Sequence, residues 1–207
     1  MASDRSGPSD VYIKNVGDAA PEQLFFHSNV PFKNADSWSP DGKWISMRQL
    51  DPDTAQNLYV LPATGEIKPE LYVAGPGRDG AFAVSPNGRW MAYLAEDTGT
   101  AELYVQTFPK PGGRVRVSTE GALWAWWADN GQRIVYVEGN RTRLMTVDVT
   151  EGDSLKVATP RFVAALPAGI VWIDAMPDRR RFLALMPERL GTGTVTVVQN
   201  WMAALKR

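Results

Sequence analysis

Apolar and polar residues alternate along this chain in short runs, never at helical spacing for long. Ile45 and Met47, then Leu58 and Val60, stand at every second position, as do Met91 and Tyr93, then Leu103 and Val105. Period-two runs of this length predict strands with one face turned inward. No stretch sustains the i, i+3, i+4 pattern with caps that a long helix needs. A short helix is expected only in the tail, over residues 200–206.

The strands recur in fixed phase. Trp38-Ser39-Pro40-Asp41-Gly42-Lys43-Trp44-Ile45 returns as Val84-Ser85-Pro86-Asn87-Gly88-Arg89-Trp90-Met91, and more loosely as Trp127-Ala128-Asp129-Asn130-Gly131-Gln132-Arg133-Ile134. A fourth copy, Met176-Pro177-Asp178-Arg179-Arg180-Arg181-Phe182-Leu183, puts Arg179 where glycine stood. A tight turn there wants positive φ, so Arg179 is expected to be strained or the turn altered. A second motif interleaves with the first: Val11-Tyr12-Ile13, Leu58-Tyr59-Val60, Leu103-Tyr104-Val105 and Leu144-Met145-Thr146-Val147. Proline followed by Asp-Gly or Asn-Gly joins two strands tightly. Each such turn therefore predicts a hairpin between the first and second strands of a unit, and turn chemistry accounts for Asp41 and Asn87.

Units of about 41–48 residues with four strands have the blade length of radial propellers. The fold expected is all-β: a β-propeller or partial propeller of about four to five blade equivalents, each a four-stranded antiparallel sheet. Residues 1–9 are expected to be a flexible leader and 202–207 a tail. Full blades are expected at 36–74, 79–118 and 121–163, with partial blades at 10–30 and 171–201. Eight tryptophans suit blade interfaces, and Trp38, Trp44, Trp90, Trp127 and Trp172 are the expected core members.

The ends are incomplete. Strands expected at 10–16 and 23–27 resemble the outer two of a blade, and those at 171–175, 181–185 and 194–198 the first three. An open arc would expose strand edges and apolar faces to water. Three closures follow: a larger propeller of which this is a segment, a single-chain ring of four blades, or a homo-oligomer in which two arcs form an eight-bladed ring.

The Ser-Pro-Asp-Gly-Lys and Ser-Pro-Asn-Gly-Arg hairpins, each followed by an apolar strand and a later Leu-Tyr-Val, resemble the WD40-like PD40 repeats of TolB-type propellers. Counting the looser copies, the likeness runs over residues 11–201. The stretch from Phe182-Leu183 to Val197-Val198-Gln199-Asn200-Trp201 resembles the carboxyl end of propellers that follow bacterial serine/threonine kinase domains. Kinase activity is not expected, since neither a phosphate-binding glycine loop nor a catalytic loop is present. The resemblance implies a protein-binding or ligand-sensing surface, and fold kinship alone does not fix function.

Composition narrows the chemistry. Twenty-two basic residues against 23 acidic ones leave a net charge of −1, and no aromatic-rich basic groove accompanies Arg179–Arg181, so nucleic acid is not an expected partner. With no cysteine, disulfides, thiolate metal sites and cysteine nucleophiles drop out, while the compartment stays open between periplasm and cytoplasm. No apolar run is long enough to span a bilayer, and the polar start carries no signal peptide, so membrane insertion is not expected. His27 is the only histidine. It is expected to be a surface or satisfied polar residue, because no Gly-x-Ser-x-Gly elbow exists to present a nucleophile and zinc would lack ligands.

Propellers receive ligands at the loops that lead into their innermost strands. Here those loops carry Asp36, Arg78, Asp79 and Glu120, with Trp124 and Trp126 close by: a polar rim suited to a peptide, a sugar or a cation. The expected function is a non-catalytic scaffold or sensory module with a protein or peptide partner and no cofactor, a structural Ca²⁺ being the one ion left open. The rival is a propeller hydrolase or lyase that uses channel carboxylates and a divalent metal.

Overall fold

The computed structural model describes residues 2–3, 9–17, 19–51, 56–75, 77, 80–97, 99–152, 154–176, 181–187 and 197–198. Arg78, Asp79 and Arg179, most of the leader, and the tail with its expected helix lie outside them. Nineteen strands are described and fall into five antiparallel sheets. The first contains β1 (Ala2–Ser3), β2 (Asp10–Ile13) and β3 (Gln23–Phe26). The second runs β4 (Lys33–Trp38), β5 (Trp44–Leu50), β6 (Gln56–Pro62), β7 (Glu70–Val73), and the third β8 (Gly80–Val84), β9 (Trp90–Ala95), β10 (Glu102–Thr107), β11 (Val115–Arg116). The fourth runs β12 (Ala122–Ala128), β13 (Arg133–Glu138), β14 (Arg143–Thr150), with β15 (Lys156–Val157) and β16 (Arg161–Ala165) both on β14. The fifth holds β17 (Trp172–Ala175), β18 (Phe182–Leu185) and β19 (Val197–Val198). This is the all-β partial propeller that the repeat predicts.

The first strands of successive sheets, β4, β8, β12 and β17, are neighbours, so they form the inner wall of an arc. Each hydrophobic cluster is a junction between adjacent sheets. Val11 packs with Met47 and Leu61; Leu58, Val60 and Tyr72 with Met91, Tyr93 and Ala95; Trp90, Ala92 and Leu103 with Ala125, Trp127 and Tyr136; Val135 and Val137 with Ile173 and Phe182. The period of two makes this workable, because alternate residues of one strand serve the junctions on its two sides.

The repeat turns have the expected chemistry. Gly42 and Gly88 adopt φ of 72° and 73°, where glycine is the residue without a steric penalty. Ser39 Oγ donates to Asp41 Oδ1 at 2.6 Å and accepts from Trp44 N at 3.0 Å, and Ser85 repeats both bonds with Asn87 and Trp90 at 2.7 and 3.0 Å. The third copy lacks the proline and turns instead through Asp129 and Asn130, both at positive φ.

Two core expectations are corrected. Trp90 and Trp127 are buried and Trp44 packs partly buried, but Trp38 and Trp172 are 49% and 43% exposed. Both exposed residues belong to sheet faces that meet no complete neighbouring sheet.

Candidate functional site

The end of the arc that bears the loops into the innermost strands is built from bulges and ion pairs. β4, β8 and β12 each carry a register shift near their start, between Ala35 and Ser37, Ala81 and Ala83, and Ala122 and Trp124. A bulge leaves one extra residue and re-aims it. In β4 that residue is Asp36, whose carboxylate accepts from Arg48 Nε at 2.8 Å at both oxygens and from Asn34 Nδ2 at 2.9 Å. Arg48 in turn leans on Gly80 of the next inner strand, 3.8 Å from where a Cβ would stand.

The next two sheets repeat the scheme with other residues. Buried Glu102 receives Arg116, Ser118 Oγ and Gly121 N, which ties β10 to β11 and to the loop that leads into β12. Buried Glu138 accepts from Arg143 Nε at 2.7 Å and from Asn140 Nδ2 at 3.1 Å. Each of these carboxylates already has a guanidinium partner, which compensates the cost of burying charge. Between the two glutamates, burial pushes the Tyr136 hydroxyl up to about 12, with Glu138 and Glu102 adding to the effect. Tyr136 therefore stays protonated near neutrality.

Of the other rim residues, Glu120 is exposed in the loop before β12. Trp124 and Trp126 pack, partly buried, into the junction between the fourth and fifth sheets. Trp126 Nε1 donates to Asp174 Oδ1 at 2.9 Å and its ring meets Phe182 edge-on at 5.3 Å, while the Arg141 guanidinium lies 5.5 Å over Trp124. These partners of Asp36 and of the two tryptophans lie within a sheet or across one junction. Among the described residues no three His, Asp or Glu side chains are arranged to hold a metal ion.

His27 pairs with Asp10, Nδ1 standing 3.0 and 3.1 Å from the two carboxylate oxygens. The Lys33 ammonium, fully buried, lies 3.4 Å from the same carboxylate and donates to the carbonyls of Ser28 and Val30 at 2.8 and 2.9 Å. This cluster fastens the first sheet to the start of β4.

A further concavity lies at the opposite end of the strands, and sequence reasoning missed it. A groove of about 620 Å³ opens between the hairpin of the third sheet and that of the fourth, lined by Asn87, Asp129, Gln132, Arg133, Asp148 and Glu151 among others. Arg133 bridges Asp129 at 2.9 Å and Asp148 at 3.0 Å, and Asn87 Nδ2 crosses from one sheet to Glu151 of the next at 2.6 Å. Its charged lining is mostly acidic, Asp129, Asp148 and Glu151 against Arg133. The signal was present in the repeat, since turns at equivalent positions of adjacent blades must lie side by side, but Asn87 has a complete explanation in its own turn.

No family model and no curated protein matches the sequence. Solved structures do match. TolB from Acinetobacter baumannii superposes on 96% of this chain with a TM-score of 0.67 at 14% identity, 48% of its own length being covered. A protein assigned as TolB from Agrobacterium tumefaciens matches 76% of this chain and 59% of its own, with a TM-score of 0.57 at 19% identity. A protein assigned as a 6-phosphogluconolactonase from Bacteroides uniformis matches 86% and 57%, with a TM-score of 0.56 at 16% identity. This chain thus spans about half to three-fifths of the length of those structures. At such identities the likeness shows the fold, a TolB-like propeller arc, and nothing finer. Among the described residues no helix is long and apolar enough to cross a membrane.

Proposed function

We propose that this arc is a non-catalytic binding module, and that its partner is an extended, charged protein segment held in the groove between the third and fourth sheets. The observation that carries the reading is the state of the carboxylates. At the loop end, Asp36, Glu102 and Glu138 each pair with an arginine, which leaves them poor general bases and poor metal ligands. In the groove, Asp129, Asp148 and Glu151 are partly open to solvent and outnumber Arg133, a lining that favours a basic peptide.

The module needs no cofactor in this proposal. Titration of labelled basic peptides, followed by fluorescence anisotropy, tests it. Binding is expected to weaken on Asp148→Ala and Glu151→Ala and to be unchanged on Glu120→Ala. Loss on Glu120→Ala alone would move the partner to the loop rim. Thermal shift with Ca²⁺, Mg²⁺ or Mn²⁺ is expected to be flat. Metal-dependent turnover of lactones or esters, abolished by chelator and by Glu102→Gln, would overturn the reading in favour of a hydrolase or lyase.

A further inference from the structure

Interior junctions fix which way each repeat position faces. In β9, Met91, Tyr93 and Ala95 turn back to the second sheet, while Trp90, Ala92 and Leu94 turn forward onto Ala125 and Trp127 of the fourth. Set in the same repeat register, Phe182 and Ala184 of β18 turn back, and they do pack on the fourth sheet. Leu183 and Leu185 then take the forward places, and they stand 47% and 58% exposed.

The other end shows the matching defect. Trp38 and Trp127 share one repeat position, just before the hairpin. Trp127 is 4% exposed, its Nε1 donating 3.1 Å to the Ala83 carbonyl of the preceding inner strand. Trp38 is 49% exposed, and its Nε1 folds back onto Gly42 O of its own turn at 2.9 Å. In front of it, among the described residues, the first sheet supplies β2 and β3, which carry the third- and fourth-strand motifs, and the two residues of β1 besides. Beside β4, where an inner strand would run, a groove of about 200 Å³ is lined by Val11, Ile13, Phe25, Ala35, Trp38 and Ile45.

We infer that these two half-junctions meet in trans: the β17–β18 hairpin of a second copy lies in the groove beside β4, its Leu183–Leu185 face on Trp38. The hairpin supplies an inner strand beside β4 and, in place of the two-residue β1 on the β2 edge, a full second strand, so the shared blade takes two strands from each chain. The occupant is a second copy because the register of β18 matches the vacant inner register and apolar side chains face an apolar groove. Among the described residues β19 pairs with β18 at two positions, Phe182 with Val198 and Leu183 with Val197, and it yields that edge to β2. This closure rests on the propeller register and is independent of the peptide-binding reading.

Light scattering behind size exclusion, from nanomolar to high micromolar protein, tests it. The expected mass at high concentration is twice the 22.8 kDa of one chain. Trp38→Arg and Leu185→Arg, both at exposed positions, are each expected to weaken the dimer about tenfold or more, as substitutions at the centre of an interface do. Mixing these two variants is expected to restore dimer, since one of the two junctions in the mixed ring is intact. Leu71→Arg on β7, also exposed, is expected to leave the dimer unchanged. A mass of one chain at every concentration with a native circular dichroism spectrum overturns the inference. So does a dimer indifferent to Trp38→Arg and Leu185→Arg, or one that mixing fails to restore.

Discussion

Trp127 and Trp38 hold the same repeat position on the same kind of strand, each just before a hairpin, yet one is sealed in a junction and the other half bare. Local sequence cannot make that difference. The strand and its hairpin come from local sequence, whereas burial comes from whichever sheet stands in front. Trp127 has the whole third sheet before it, including Trp90, Ala92 and the Ala83 carbonyl. Among the described residues, the sheet in front of Trp38 has no inner strand. Burying an indole of about 150–250 Å² is worth at most about 4–6 kcal/mol by area, so the complete junction holds much of the stability that the incomplete one forgoes.

Trp127→Ala is accordingly expected to lower unfolding free energy by about 3–5 kcal/mol. Trp38→Ala, measured in dilute monomer, is expected to cost less than about 1 kcal/mol. Urea titrations of the two variants read the contrast directly. Equal costs would mean that Trp38 is covered in solution within the single chain.

The complete junction is also locked by charge. Glu102 gathers Arg116, Ser118 and the Gly121 amide, and it is buried while Arg116 is half exposed. Glu102→Gln keeps the shape and removes the charge, at an expected cost of about 1–2 kcal/mol once solvent screening of Arg116 is allowed for. Arg116→Gln in the Glu102→Gln background should then cost little more. Full additivity of the two would show that the pair is uncoupled.

These two substitutions also mark what was readable in the chain. The fold was legible because a hairpin of Pro, Asp or Asn and Gly declares itself within five residues, and its recurrence declares the blade. Trp90 and Trp127 were legible as core for the same reason. Trp38 was not, since its exposure depends on strands missing from a different sheet. The site was less legible still. Asp36 stands in a bulge, and a bulge leaves no mark in the alternation. Glu102 and Glu138 sit at strand ends where a carboxylate reads as ordinary polarity, and their arginines lie 14 and five residues away. The groove at the hairpin end needs two repeats side by side before it exists.

The hairpins themselves should respond alike whichever junction they border. Gly88→Ala meets open space at the new Cβ, so its cost is the backbone alone at φ +73°, about 1 kcal/mol. Gly42→Ala, at φ +72° with only the Trp38 indole 4.0 Å away, is expected to cost the same within error by thermal melts. A much larger penalty at Gly42 would tie that turn to the packing of Trp38 and break the separation between local turn and distant neighbour.

The smallest effect lies in the clasp that holds the first sheet at the bare junction. The hydrogen bond from His27 holds the Asp10 carboxyl below its ordinary 3.8, assisted by the charges of His27 and Lys33 and opposed by burial. A carboxylate with a depressed folded-state pKa contributes stability that is present above its unfolded value and lost as pH falls through the folded one. The contribution of Asp10 is therefore expected to be intact at neutral pH and to fade from 3.8 downward, as protonation leaves buried Lys33 facing a neutral acid. Asp10→Asn should flatten this part of the acid limb in melts taken between about pH 5 and pH 2. Asp41, held low chiefly by Ser39 and the Lys43 amide, is exposed in its turn, so Asp41→Asn should flatten the limb less. If the two variants change the limb equally, the clasp adds nothing beyond what a surface turn adds, and the first sheet is fastened by Val11, Met47 and Leu61 alone.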